Sequence, residues 1–396
     1  MICIVRPYAN LPSDGAGNDR YVNLCVHLRG RSMDAHLVCS SFIHNRKARR
    51  TDAEILTNRA ALPFVTELNS VGYRNNASIG RVLYELVFGL RALRWVWRNR
   101  PASILVGEPL FFVGWLFVAF GWFSGIPISA DVIDLWPEAD TRELRGASGA
   151  IKRMIYRALK WSRAARFNRY SSLTFVSNSY AEAIRASKPR SVFYWGSDLV
   201  PNGGLERPSG GTVTIVYAGS FGNGYDIQTV LDAARLLAAH QSGKYRIVFA
   251  GGGEQEQAVK ESARRGEIEY LGYIDKPRLI QLYGRSDIGL LPYKAGSMVA
   301  MPIKFFDYVN FGIYSISSLT LEVADVIRSK AIGAYYKAGD VQDLYARIIE
   351  TAADASRRER VRSVCAQLRD YYSLTRQYGG FAEFVAGRAG DGSSMR

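Results

Sequence analysis

Twice along this chain, apolar runs of strand length alternate with amphipathic runs of helix length. In residues 1–200 the pattern predicts strands at 2–5, 35–40, 103–106, 128–133 and 172–176. Helices are predicted at 20–29, 79–98 and 150–166. The alternation restarts at residue 212. Strands follow at 212–218, 245–250, 269–271, 288–291 and 314–316, with helices at 227–240, 254–264, 277–283, 303–312 and 341–353. Alternation of this kind builds parallel sheets covered by helices on both faces. Between the two series lies 201–211 (PNGGLERPSGG), where Gly and Pro cluster and periodicity is lost. The expected fold class is α/β, with two doubly wound, Rossmann-like parallel-sheet domains facing a cleft. The expected division is 1–200, 201–372, a helix at 373–388 returning to the first domain, and a disordered tail at 389–396.

A chain of 396 residues is too long for one ordinary core, which agrees with two domains. The net charge of +15 is uneven: residues 1–200 hold 27 of the 51 Lys and Arg but 15 of the 36 Asp and Glu. A one-sided basic surface favours an anionic partner, either nucleic acid or a membrane face. No nucleic-acid-binding motif is present. The four cysteines show no C-x-x-C spacing and read as buried thiols of a reducing compartment. The four histidines show no zinc or triad pattern, so no metal is expected. The first residues read as a strand and not as a signal peptide. Residues 109–130 carry no charge, but glycines interrupt them; a buried helix and strand explain them better than a membrane span.

Residues 285–312 concentrate the chemistry. A strand at 288–291 runs into a polar loop, then into a helix carrying Lys304 and Asp307 one turn apart. A cation can grip phosphate there, and a carboxylate can accept from two sugar hydroxyls. Lys304 sits in the first helical turn, where the helix dipole disfavours a cation unless an anion is near. The bland alternative is an intrahelical ion pair. The turn Gly219–Gly224 (GSFGNG) follows the first strand of the second series, and Gly15 and Gly17 occupy the equivalent place in the first. Each alone fits a tight turn; together they suit a diphosphate held from two sides.

Asp131 and Asp134 end the strand at 128–133, where a carboxylate could act as a base. Alternation puts them on opposite faces, so only one should reach a cleft. The alternative is N-capping. The helix at 79–98 is apolar on one side and carries Arg91, Arg94, Trp95, Trp97 and Arg98, a pattern of interfacial helices. A second basic run spans 152–169. A basic loop at 44–50 is expected to be mobile.

These residues resemble a family. The chain looks like a GT-B-fold glycosyltransferase, most like the members of glycosyltransferase family 4 that build bacterial surface polysaccharides. The run 134–138 (DLWPE) matches lipid-linked amino-sugar transferases of that family. Residues 217–233 and 270–293 resemble its donor domain, and 302–312 its P-x-K-x-x-E-Y segment. The resemblance implies donor binding by Gly219, Ser220, Phe221, Gly222, Tyr273, Tyr293, Pro302, Lys304, Asp307 and Tyr308, with Asp307 on the ribose.

Three departures stand out. Val299 replaces the first Glu of the family's E-x7-E motif, and Ser220 and Tyr225 replace its diphosphate clamp. There is also a weaker similarity to xanthan-type glucuronosyltransferases, which invert configuration; on that reading Asp134 or Asp131 is the base. The resemblance implies transfer from a nucleotide sugar to a lipid-linked saccharide acceptor, without cofactor, on the anionic cytoplasmic face of the inner membrane. A nucleotide-sugar epimerase and a non-catalytic relative are the alternatives.

Overall fold

The computed structural model describes residues 1–15, 19–44, 46–75, 78–138, 148–201, 211–240 and 243–391. They form two compact units: Met1–Tyr194 with Thr375–Arg396, and Trp195–Leu374.

The first unit carries strands β1 (Ile2–Val5), β2 (Ala35–Ser40), β3 (Phe42–Ile43), β4 (Ala48–Arg49), β5 (Val65–Leu68), β6 (Ser103–Glu108), β7 (Ile128–Val132), β8 (Leu173–Phe175) and β9 (Arg190–Val192). Seven make one sheet, in the order β5-β2-β1-β6-β7-β8-β9. Every adjacent pair is parallel. Ile4, Leu37, Leu105, Ala130 and Phe175 are buried across it. Strands this apolar need cover on both faces, and helices supply it.

Helix Phe111–Ser124 buries Val113, Gly114, Phe117 and Val118 but leaves Trp122 and Phe123 80% exposed, so the expectation of a buried helix fits only part of it. Among the described residues, no helix is long and apolar enough to cross a membrane. The 44–50 segment differs from expectation. Its described residues contribute to the β3–β4 hairpin, and Arg50 is buried, donating to Asp14 at 2.6 Å and Glu67 at 2.8 Å. A buried guanidinium with two carboxylate partners pins the segment.

The second unit carries β10 (Val213–Ser220), β11 (Tyr245–Gly252), β12 (Glu269–Tyr270), β13 (Ile288–Leu291), β14 (Tyr314–Ser317) and β15 (Gly333–Tyr335), in the order β12-β11-β10-β13-β14-β15. It too is wholly parallel.

The chain enters this unit at Trp195, ahead of the Pro/Gly run chosen from the sequence. Ser197 and Leu199 already bond to its helix Ile303–Phe311, through Asp307 and Asn310. Residues 202–210 lie outside the described residues. The final helix spans Leu374–Asp391 and so extends beyond residue 388; residues 392–396 are not among those described. Its Phe381 stacks on Phe193 at 5.0 Å, within the first unit. All four cysteines are buried and free.

Candidate functional site

In the second unit, β10 and β11 pair in register through Gly219 and Gly251. A Cβ on Gly251 would run into the Gly219 carbonyl, so only glycine allows this approach. Gly219 itself has φ 146° and faces the Lys304 side chain: a Cβ there would lie 2.5 Å from Lys304 Nζ. The ammonium sits 4.8 Å from the Tyr225 ring centroid and 5.3 Å from that of Tyr217. Two aromatic faces stabilise a cation without neutralising it. Among the described residues no carboxylate pairs with Lys304. Helix Ile303–Phe311 begins at Pro302 with no side-chain cap, so its first N–H groups add to the positive end. Cation and helix terminus together make an anion site.

Its extent is limited. The Glu254 carboxylate comes to 3.2 Å from a Cβ built on Gly222, and the Gly222 N–H is taken by Ser220 Oγ at 3.1 Å. An anion would therefore fit better at the Gly219 end of the turn.

One turn beyond Lys304, Asp307 is buried and accepts from the Ser197 hydroxyl at 2.6 Å. Burial, with the nearby Asp198 charge, raises its pKa to about 7; Ser197, Lys304 and Lys276 oppose the shift. Lys276 in turn holds Asp198 at 2.8 Å. The intrahelical ion pair is thus not what the structure shows: Asp307 bonds to Ser197, and Lys304 lies over the glycine turn.

Other expected donor residues divide. Tyr273 is 82% exposed, whereas Tyr293 is buried and packs on Tyr225 at 4.8 Å. Phe221 and Tyr308 have no exposed surface. Phe221 packs among Tyr217, Phe249 and Tyr270, and Tyr308 donates to the Leu290 carbonyl at 3.0 Å. Their side chains build the core and cannot meet a ligand, which corrects their placement in the donor site. Val299 is half-buried and offers no polar group.

In the first unit the two aspartates part company. Asp131 is fully buried and receives a two-point bond from Arg20, at 2.7 and 3.0 Å, and a third from Thr174 at 2.7 Å. Its oxygens are committed, so it is not available as a base; this corrects that part of the expectation. The Arg20 guanidinium lies 4.7 Å from the Phe381 ring, under the final helix. Asp134 is exposed, in the bend after β7.

That bend is anchored downstream. Arg163 donates to both Glu138 oxygens, at 2.5 and 2.6 Å, and to the Trp136 carbonyl at 2.7 Å. Sequence reasoning missed a second buried acid, Glu108 at the end of β6. It accepts two bonds from Arg166 at 3.0 Å and one from Tyr170 at 2.6 Å. A Cβ on Gly114 would lie 2.5 Å from Glu108 Oε1, so that glycine makes room for the cluster. Gly15 has φ 69° and is exposed; Gly17 lies outside the described residues.

Among the interfacial residues, Arg94, Trp97 and Arg98 are exposed. Arg91 donates to the Asn69 carbonyl. Trp95 is half-buried and stacks on His36 at 4.8 Å, so part of it goes into the packing of the helix on β2.

Residues 212–354 match the family described as Glycosyl transferases group 1. No curated protein matches the chain in sequence. Solved structures match it in fold over almost the whole chain. Sucrose-phosphate synthase from Thermosynechococcus elongatus aligns with a TM-score of 0.71 at 12% identity, covering 98% of each chain. The lipopolysaccharide outer core galactosyltransferase WaaB aligns at 0.64 and 14%, covering 97% of this chain and 99% of its own. HepE of Anabaena, solved with UDP-glucose, aligns at 0.65 and 13%, covering 98% and 99%. The fold is thus that of GT-B glycosyltransferase structures, and the second unit carries the match to the group 1 family.

Proposed function

We propose that this enzyme moves a sugar from a UDP-sugar to a polyprenyl-diphosphate-linked acceptor, in the synthesis of an exopolysaccharide, capsule or O-antigen. The observation that carries the donor half is Lys304, an ammonium held by two tyrosine faces over Gly219, one turn from the buried Asp307. When the bond from the anomeric carbon to the diphosphate breaks, negative charge gathers on the departing phosphate oxygen. Lys304 and the start of helix Ile303–Phe311 are placed to take that charge. Asp307, once ionised, can accept from both ribose hydroxyls, and Tyr273 can stack on the base. HepE, a neighbour in fold, is solved in complex with UDP and with UDP-glucose, which supports a uridine donor here. No resident metal is needed for this chemistry, because a lysine and a helix terminus supply the charge.

The acceptor half rests on the DLWPE run and on the surface of the first unit. Asp134 is the acid there that could take a proton from the acceptor hydroxyl if configuration inverts. Ile79, Leu83, Leu90 and Trp97 are exposed on helix Ile79–Asn99, interspersed with Arg94 and Arg98. Apolar side chains with arginines suit the anionic cytoplasmic face of the inner membrane. On this reading the protein is peripheral.

The test begins with thermal unfolding in the presence of UDP- and GDP-sugars. A ligand at a hundred times its Kd should stabilise by about 2.7 kcal/mol. UDP release is then measured with and without a lipid-linked acceptor. Conversion of the donor into an isomeric UDP-sugar without acceptor and without net UDP release would overturn transfer in favour of epimerisation, and failure to bind any nucleotide sugar would remove the enzyme reading.

A further inference from the structure

The basic run in helix Ser148–Phe167 splits into two sets. Arg163 and Arg166 point inward and hold Glu138 and Glu108. Arg153, Arg157 and Lys160 lie on another, exposed face, from which Lys160 also reaches Glu138 at 3.3 Å. They stand at i, i+4 and i+7, on one helical face with Tyr156. Together these four line an open groove of about 460 Å³. Met154 and Trp161, 66% and 76% exposed, flank it on the outermost side of the helix.

We propose that this groove is the diphosphate subsite for the lipid-linked acceptor. Arg153, Arg157 and Lys160 grip the two phosphates, and Met154 and Trp161 meet the prenyl chain where it enters the bilayer. The proposal rests on the acceptor class proposed above and deepens it. Three features support it. The cations converge on a concavity, which suits one small polyanion better than a flat lipid surface does. Its volume lies in the range of small-ligand pockets, about 300–1,000 Å³. Lys160 Nζ is 3.3 Å from Glu138, so the groove adjoins the bend that carries Asp134. A sugar attached to a diphosphate held here would lie beside that acid. Glu138 does not void the site, because Arg163 already satisfies both its oxygens.

The test uses the full chain and phosphatidylcholine vesicles doped with either farnesyl diphosphate or phosphatidylglycerol at matched charge. Arg157→Lys keeps the charge but loses the planar fork that binds a phosphate at two points. It should bind phosphatidylglycerol vesicles like the wild type and farnesyl diphosphate vesicles about tenfold more weakly. Arg157→Ala should lose roughly fivefold on the first, as for one charge at an anionic surface, and about tenfold to a hundredfold on the second. UDP binding, read by calorimetry, checks that each variant is folded. Equal losses on both vesicle types would make the groove part of a general membrane surface and overturn the subsite. If the wild type does not prefer the diphosphate vesicles while it still binds UDP, the lipid-diphosphate acceptor falls, and the subsite with it. If the wild type prefers them and the variants do so equally, only the subsite falls.

Discussion

Lys304 occupies the space that a side chain at position 219 would need, with Nζ 2.5 Å from a Cβ built on Gly219. Strand end and helix start thus approach across a gap one methyl group would close. Gly219→Ala should push the ammonium off the two tyrosine faces, and its φ of 146° would also strain any side chain. The expected result is a loss of UDP-sugar affinity of about tenfold or more, read by calorimetry, comparable to losing a charge-assisted hydrogen bond.

Lys304→Met removes the charge and keeps most of the volume. Among the described residues no ion pair depends on Lys304, so the thermal midpoint should change little. The UDP-sugar Kd should rise by about tenfold to a hundredfold, in line with a hydrogen bond to a charged group. A large stability loss with unchanged affinity would show that Lys304 serves packing instead.

Asp307 makes stability and binding move in opposite directions with pH. Its pKa rises from 3.8 to about 7 on folding, first through burial. Between those values the folded chain keeps a proton that the unfolded chain has released. Stability from this group is therefore fully present below about pH 4, falls as pH rises, and levels off above about pH 7, by up to roughly 4 kcal/mol. Donor affinity should rise over the upper part of that window, because the ribose hydroxyls bond to the ionised form. Asp307→Asn should be more stable than the wild type at pH 8 and lose both activity and the pH dependence of binding. Thermal scans and UDP titrations from pH 5 to 8 check both.

Asp131 and Asp134 should separate cleanly. Asp131→Ala leaves Arg20 charged and buried, which should destabilise the first unit by about 3–5 kcal/mol. Asp134→Asn, at an exposed bend, should leave the thermal midpoint close to the wild type and lower kcat if the acid takes the acceptor proton. A stable Asp131→Ala with lost turnover would reverse these roles.

Much of the proposed donor site is readable along the chain, because its parts are close in sequence. Lys304 and Asp307 lie three residues apart, and helical periodicity alone places them one turn apart. The glycine turn after β10 follows from a strand, a helix and the glycines between them. Position in the core is harder to read. Phe221 and Tyr308 lie inside the matching motifs yet face the interior, because a motif position does not say which way a side chain points. The 44–50 segment looks like a mobile basic loop until Arg50 meets Asp14 and Glu67. Charge counted along a chain cannot distinguish a solvated arginine from a buried pair.

Local periodicity and turn residues were enough for the two α/β units and the main alternation of their strands and helices, but β5, β9 and β15, which complete the two sheets, escaped that reading. The sequence also placed a cation and a carboxylate at the strand-to-helix crossover of the second unit. Tertiary structure alone decided which acids remain available for chemistry. Arg20 withdraws Asp131 from 111 residues away, and Arg166 withdraws Glu108 from 58. Ser197, 110 residues from Asp307, shares the burial that sets its pKa. The physical reason is desolvation: a carboxylate's availability depends on what surrounds it, and its neighbours come from distant parts of the chain.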